Sequence, residues 1–376
     1  MNMTLPRILV VLTSVLAQLS AETPLPRFSW DKVPVYEMFG DGSRLLKDEE
    51  LKHIAGTTDF LCIEKNHAIS VLKSADHGAA REIARFKKLD PGTTCLFYFN
   101  SAYAYPFASR SQMFRIGRIP AEYKDFLITD PDTGKFSQRG NVPFFDVLNP
   151  DFRKWWAAEV GRYVEDTGAD GLFVDQMHGF VFLRPQKRRE VEEAQAEMMS
   201  MAKKAIGSDK ILLLNNGAHI PELFEIGDSF MFEHYKPETL TKEAILKDWK
   251  LMEQIAGAGK SSVWRIGLEI EGKLEAAKLT DADYQERARK ELSYHLAVFL
   301  AGACEYSYFQ YGWGWLLRTG PLMSYPEFER PLGKPIGPRT RPDAKGWVFL
   351  REFEQASVRV DLEKREGAVT WRKGRQ

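Results

Sequence analysis

What this sequence lacks narrows it first. Cysteine is scarce, with Cys62, Cys95 and Cys304 the three among 376 residues. An odd, sparse set gives no disulfide framework. Each lies in an apolar, strand-like run (LCIE, TCLFYF, ACEYSY), where a small buried thiol fits. There is no CxxC, no HExxH and no histidine pair at ligand spacing, so a zinc site built on cysteine or histidine is not expected, and neither is a cofactor. No charge sign is in excess: 52 Lys and Arg balance 52 Asp and Glu. That balance argues against a nucleic-acid footprint or an acidic tail. Gly and Pro, 28 and 19 residues, are too few for a collagenous or wholly disordered chain. Beyond the first residues, no uncharged stretch is long enough to span a membrane.

What is present begins with an address. Residues 1–21 read MNMTLPRILVVLTSVLAQLSA: Arg7, then an apolar run over Ile8–Ala17, then Ser20-Ala21 as a cleavage site. The run is too short to cross a bilayer, so an export signal is expected, and with it a periplasmic or extracellular protein. The remaining length suits a (β/α)₈ barrel with extensions. Aromatic residues are 12% of the chain, nine of them Trp. They fit a filled core or a surface that stacks on flat ligands, and composition does not choose between the two.

Short apolar runs then alternate with helical patterns. The runs are Val33–Phe39, Phe60–Asn66, Thr94–Asn100, Gly171–Met177, Ile211–Asn216, Phe230–Tyr235, Ser262–Leu268 and Cys304–Gln310. Continuous hydrophobicity fits parallel strands buried on both faces. Between them lie helix candidates, including Pro150–Thr167 behind an Asn149-Pro150 cap, Pro185–Ile206, Thr239–Ala256 and Asp281–Leu300. Eight such units predict a TIM barrel over residues 22–320, with a doubly wound open sheet as the structural rival. Ser101–Asn149 is a long insertion after strand three. Residues 321–376 form a Pro-rich, then strand-like tail, predicted as a short β appendage packed on the barrel.

In a barrel, side chains at the C-terminal strand ends point at the site. The shortlist is Glu64 (strand two), Tyr98 and Asn100 (three), Asp175 and Gln176 (four), Asn215 and Asn216 (five). It continues with Glu233, His234 and Tyr235 (six), Arg265 (seven), and Glu305, Tyr308 and Gln310 (eight). Asp146 and Trp313 join it from the flanking loops. Such groups hydrogen-bond sugar hydroxyls and carry acid/base chemistry. Asp175 and Glu233 each follow a buried apolar run, and two carboxylates facing one cleft can cleave a glycosidic bond. Asp175, beside the amide of Gln176, is expected as nucleophile. Glu233, followed by rings that desolvate it, is expected as acid/base. Tyr103, Tyr105, Phe107, Trp313 and Trp315 are candidates for a sugar-stacking rim. The basic run Arg184–Arg189 is either a solvated helix start or a contact for an anionic polysaccharide.

The segment FDVLNPDFRKWWAAEV with TGADGLFVDQ resembles the glycoside-hydrolase-like TIM barrels, and among them an uncharacterised group of glycosyl hydrolases. The matching positions are Asp146, Asn149-Pro150, Gly168, Asp170-Gly171 and Asp175. The closing segment, from YPEFERPLGKPIGP to GWVFLREFEQASVRVDLEK, resembles the end of their barrel. A strand-four Asp with a strand-six acid is also similar to the retaining α-galactosidase-type barrels. In α-amylase-like barrels the acid follows strand five, where this chain has Asn215-Asn216. The resemblance implies a carbohydrate substrate and a retaining two-carboxylate mechanism. Two other readings stay open. One is a barrel that binds carbohydrate without cleaving it. The other is a metal-dependent hydrolase or lyase, which needs Asp175, Glu64 and Glu305 to converge on one ion-sized cavity.

Overall fold

A computed structural model describes residues 24–234, 236–269 and 278–372. The expected export signal and Tyr235 therefore lie outside the described residues. Eight strands form one parallel sheet in chain order: β1 (Glu37–Phe39), β2 (Phe60–Ile63), β3 (Thr94–Asn100), β4 (Gly171–Asp175), β5 (Ile211–Asn215), β6 (Ser229–His234), β7 (Ser261–Ile266) and β8 (Ser307–Tyr311). The sheet closes on itself. Val35 bridges Phe309, where Tyr36 N donates to Phe309 O at 3.0 Å and Phe309 N donates to Pro34 O at 2.8 Å. This is the expected TIM barrel, and closure rules out the open doubly wound sheet.

Each of the seven connections carries a main helix: α1 (Asp48–Thr57), α2 (Ala75–Leu89), α3 (Pro150–Thr167), α4 (Arg188–Ile206), α5 (Pro221–Ile226), α6 (Lys242–Gly257) and α7 (Asp281–Gly302), with short helical turns at Ile69–Leu72 and Gly179–Leu183 ahead of α2 and α4. Side chains alternate across each strand. The inward set, including Met38, Cys62, Leu96, Phe173, Leu213, Met231 and Val263, fills the barrel. The outward set packs with the helices in a larger shell.

The motif residues before Asp175 are mostly architectural. Asn149 caps α3, its Oδ1 accepting from Asp151 N at 2.8 Å and Phe152 N at 3.2 Å. Gly168 ends the helix at φ 67°. Asp170 accepts from Cys95 N at 2.8 Å and pairs with Lys87, which fixes the start of β4 beside β3. Gly171 is forced by packing: a Cβ there would lie 2.1 Å from Ile211 O.

The insertion after β3 packs its aromatic residues against those of α3. Phe114 meets Phe145 edge-on at 5.0 Å and Trp155 at 5.2 Å, and Phe145 stacks on Phe152 at 4.6 Å. After β8 no α-helix follows among the described residues. A three-stranded antiparallel sheet, β9 (Val348–Glu352), β10 (Ala356–Asp361) and β11 (Glu366–Trp371), packs against α7 instead. Arg351 is buried there, its Nη1 donating to the carbonyls of Leu300 (3.1 Å), Ala301 (3.3 Å) and Ala303 (2.5 Å). One guanidinium thus satisfies carbonyls at the C-terminal end of α7. No described helix is long and apolar enough to cross a membrane.

Candidate active site

The last inward position on most strands is polar. Two residues beyond Cys62, Tyr98, Phe173, Leu213, Met231, Val263 and Tyr308 stand Glu64, Asn100, Asp175, Asn215, Glu233, Arg265 and Gln310. Together with Tyr98 they ring the barrel mouth above an apolar interior.

Asp175 is the most heavily bonded member. Its Oδ2 accepts from Tyr98 Oη at 2.7 Å and from Asn100 Nδ2 at 3.2 Å. Its Oδ1 accepts from Gln176 N at 2.7 Å and from Asn215 Nδ2 at 3.0 Å. Gln176 contributes through its backbone: at φ 72° the chain turns its N–H back onto the preceding carboxylate. Ser101 Oγ donates to the Asp175 carbonyl at 2.7 Å and fixes the main chain.

Asn215 joins the two acids. The same Nδ2 donates to Glu233 Oε2 at 2.6 Å. The two protons of an amide diverge by about 120°, so these distances place the two carboxylate oxygens roughly 5 Å apart. The neighbouring Asn216, at φ 56°, accepts from Glu233 N at 3.0 Å. Strand five therefore supplies no carboxylate but positions both.

The environments of the acids differ. Burial pushes the Glu233 carboxyl up, and the charge of Asp175 adds to that, against the opposing effects of Arg265, Asn215 and Lys65. Burial also raises Glu64, partly offset by Lys65, whose ammonium donates to Glu64 Oε1. Arg265 is fully buried and lies 4.5 Å beneath the ring of half-buried Trp315. Gln310 faces inward and donates to Met38 O at 3.3 Å.

Several expected site residues lie elsewhere. Tyr308 faces inward one layer too low: its hydroxyl donates to Arg27 O at 2.8 Å, in the N-terminal segment beneath the barrel. Glu305 is exposed before β8 begins, because a turn with Tyr306 at φ 59° delays the strand to Ser307. Glu305 thus sits at the opposite end from Glu64 and Asp175, and the three do not converge. Among the described residues no group of three His, Cys, Asp or Glu side chains is arranged to hold a metal ion.

His234 alternates outward. Its ring packs on Trp264 with centroids 4.4 Å apart, and its Nε2 lies 3.5 Å from Asp248 of α6. Burial pushes this imidazole down to about 3. Trp313 is buried and stacks on Tyr284 of α7 at 5.6 Å, so it belongs to the helix shell, whereas Trp315 belongs to the mouth. Asp146 pairs with Arg184 at 2.5 Å and ties the insertion to the segment after β4. The rest of that basic run pairs with the next helical turn, Lys187 with Glu190, Arg188 with Glu192 and Arg189 with Glu193, so its charge is balanced locally.

Tyr103, Tyr105 and Phe107 are half-buried beside the mouth, Tyr105 stacked on Phe107 at 5.4 Å. Sequence reasoning missed Ser101 and left Lys65 off the list of site residues. Nothing marks Ser101, whose role depends on β3 and β4 being neighbours. Lys65 carried one signal, its place directly after a strand-end carboxylate.

The sequence matches hypothetical glycosyl hydrolase family 15 over residues 87–357. No curated protein matches. Among solved structures, Amy13B of Eubacterium rectale superposes with a TM-score of 0.54 at 12% identity, over 89% of this chain and 86% of that one. The α-amylase of Geobacillus thermoleovorans complexed with acarbose gives 0.51 at 11%, over 89% and 87%. At such identities these two show the shared barrel fold. The chain belongs to hypothetical glycosyl hydrolase family 15 and is a glycoside hydrolase built on a TIM barrel.

Proposed function

We propose that this protein hydrolyses glycosidic bonds of an oligo- or polysaccharide with retention of anomeric configuration, Asp175 acting as nucleophile and Glu233 as acid/base. The observation that carries this is the amide of Asn215 held between the two carboxylates. A separation of roughly 5 Å is that of retaining enzymes; inverting pairs stand about 6.5–9.5 Å apart to admit a water. The environments divide the labour. Four donors stabilise negative charge on Asp175, while burial favours the protonated form of Glu233.

In the first step Glu233 protonates the glycosidic oxygen as Asp175 Oδ attacks the anomeric carbon and the leaving group departs. In the second, Glu233 takes a proton from water, which displaces Asp175 and restores the enzyme. The half-buried tyrosines and Trp315, which covers Arg265, lie at the same mouth and are suited to sugar hydroxyls and apolar ring faces. Asp175→Asn and Glu233→Gln each abolish turnover of a polysaccharide that the native protein cleaves, while both variants stay folded. Proton NMR of the first product shows the anomer of the substrate; the opposite anomer refutes retention. Export is part of the same proposal. N-terminal sequencing of the secreted protein finds a new terminus near residue 22, and an uncleaved cytoplasmic form refutes it.

A further inference from the structure

The barrel mouth carries a cation that the two-acid scheme leaves unused. Lys65 follows Glu64 past the end of β2, and its ammonium donates to Glu64 Oε1. The side chain threads between rings, Nζ lying 5.1 Å from the centroid of Tyr98 and 5.8 Å from that of Tyr105. Tyr98 is also the donor to Asp175 Oδ2. Glu64 pins the lysine from one side and the rings hold it from two more.

The groups facing this point come from every neighbouring element. Glu64 and Lys65 come from the end of β2, Tyr98 from β3, Tyr105 from the insertion, Asp175 from β4, Glu233 from β6 and Arg265 from β7. The charge of Arg139, on an exposed hairpin, also acts on Tyr105. Among the described residues, three carboxylates therefore face two cations within the ring. Charge is balanced when one carboxylate holds a proton. Glu233 is the one placed to hold it, being buried and set against the charge of Asp175.

We propose that Lys65 is a positioning residue that maintains the charge balance of the mouth, limiting it to a single proton on Glu233 that can be given up in the second step while Asp175 carries the nucleophilic charge. This rests on the acid/base assignment above. Lys65 acts through the carboxylates and makes no contact with the scissile bond. Without it, Glu64 and Glu233 lose a charge that opposes their protonation, and both hold a proton to higher pH.

Lys65→Met keeps the apolar stem and removes the charge. The test is a carboxyl-carbon NMR titration of Glu233, its signal identified by loss in Glu233→Gln. The midpoint rises by about one pH unit in Lys65→Met and returns in Lys65→Arg. The alkaline limb of the pH–rate profile moves with it, and kcat falls more than KM rises. A lysine that only packs leaves the Glu233 midpoint where it is, and that result overturns the proposal. Lys65→Gln carries the same expectation if the Met variant does not fold. A shifted midpoint in a protein that cleaves no glycoside overturns the catalytic assignment alone, because the titration needs no turnover.

Discussion

Replacing Asn215 by Ala probes the site through the side chain that both acids share. Its amide donates at 2.6 Å to Glu233 and at 3.0 Å to Asp175. A hydrogen bond to a charged group contributes about 1.5–3 kcal/mol. Asp175 keeps the donors from Tyr98, Asn100 and the Gln176 backbone, so the loss falls mainly on the Glu233 carboxylate. That bond stabilises the ionised form, and removing it favours the proton. At about 1.36 kcal/mol per pH unit, the Glu233 midpoint climbs by about one to two units beyond its already raised position. The sign matters because Glu233 is protonated in the first step and ionised in the second. A higher midpoint extends the first step to more alkaline pH. It starves the second, which slows roughly 10- to 100-fold at neutral pH. An aryl glycoside that the native enzyme accepts separates the two: in Asn215→Ala, release of the aryl group shows a burst followed by a slow steady state. The alkaline limb of kcat/KM moves up at the same time. An alkaline limb that stays in place, or moves down, refutes the reasoning.

Other expectations follow from the same geometry. Arg351→Met leaves buried carbonyls at the end of α7 without their donor; at about 1–3 kcal/mol for each such group, the urea midpoint falls clearly, and an unchanged midpoint shows that the cap is dispensable. Trp315→Ala uncovers Arg265 and cuts kcat/KM with a small change in Tm, whereas Trp313→Ala removes a buried ring at a cost of about 3–5 kcal/mol and lowers Tm. The reverse pattern, read by calorimetry and turnover together, refutes the assignment of the two rings. Burial pushes the Glu37 carboxyl up to about 8, and its Oε2 has no hydrogen-bond partner. The fold binds this proton more tightly than the unfolded chain does. The stabilisation is therefore complete below the ordinary carboxylate range and is lost as pH rises through about 8. Glu37→Gln melts with the native protein in acid and above it in alkali; identical melting at both refutes the burial account.

The barrel was legible because its strands are buried on both faces, which writes them as continuous apolar runs, and because α3 carries its own stop and start signals in Asn149-Pro150 and Gly168. Asp175 and Glu233 were legible as charges at the ends of such runs. Which neighbour of a strand end faces inward was harder to read. Glu233 and His234 are consecutive, and a pleat of period two sends one to the cleft and the other to α6. Trp313 and Trp315 are separated by a turn rather than a strand, so alternation says nothing about them. Glu305 failed because β8 starts three residues later than its apolar run, and Tyr308 because an inward residue can belong to a lower layer. Asn215 was read as a ligand for substrate. That it bridges two acids depends on the contact order of β4, β5 and β6, which no local pattern contains.

The guanidinium of Arg351 has a consequence for how the molecule is made. The carbonyls it satisfies end a helix that leads directly into the last barrel strand, yet the donor arrives some fifty residues later in the chain. During synthesis β8 can emerge and pair while the end of α7 still lacks its donor. The terminal sheet therefore completes a barrel helix rather than hanging on a finished one. Shortening the chain before β9 removes the donor that completes α7, and the damage falls on the barrel far from the cut.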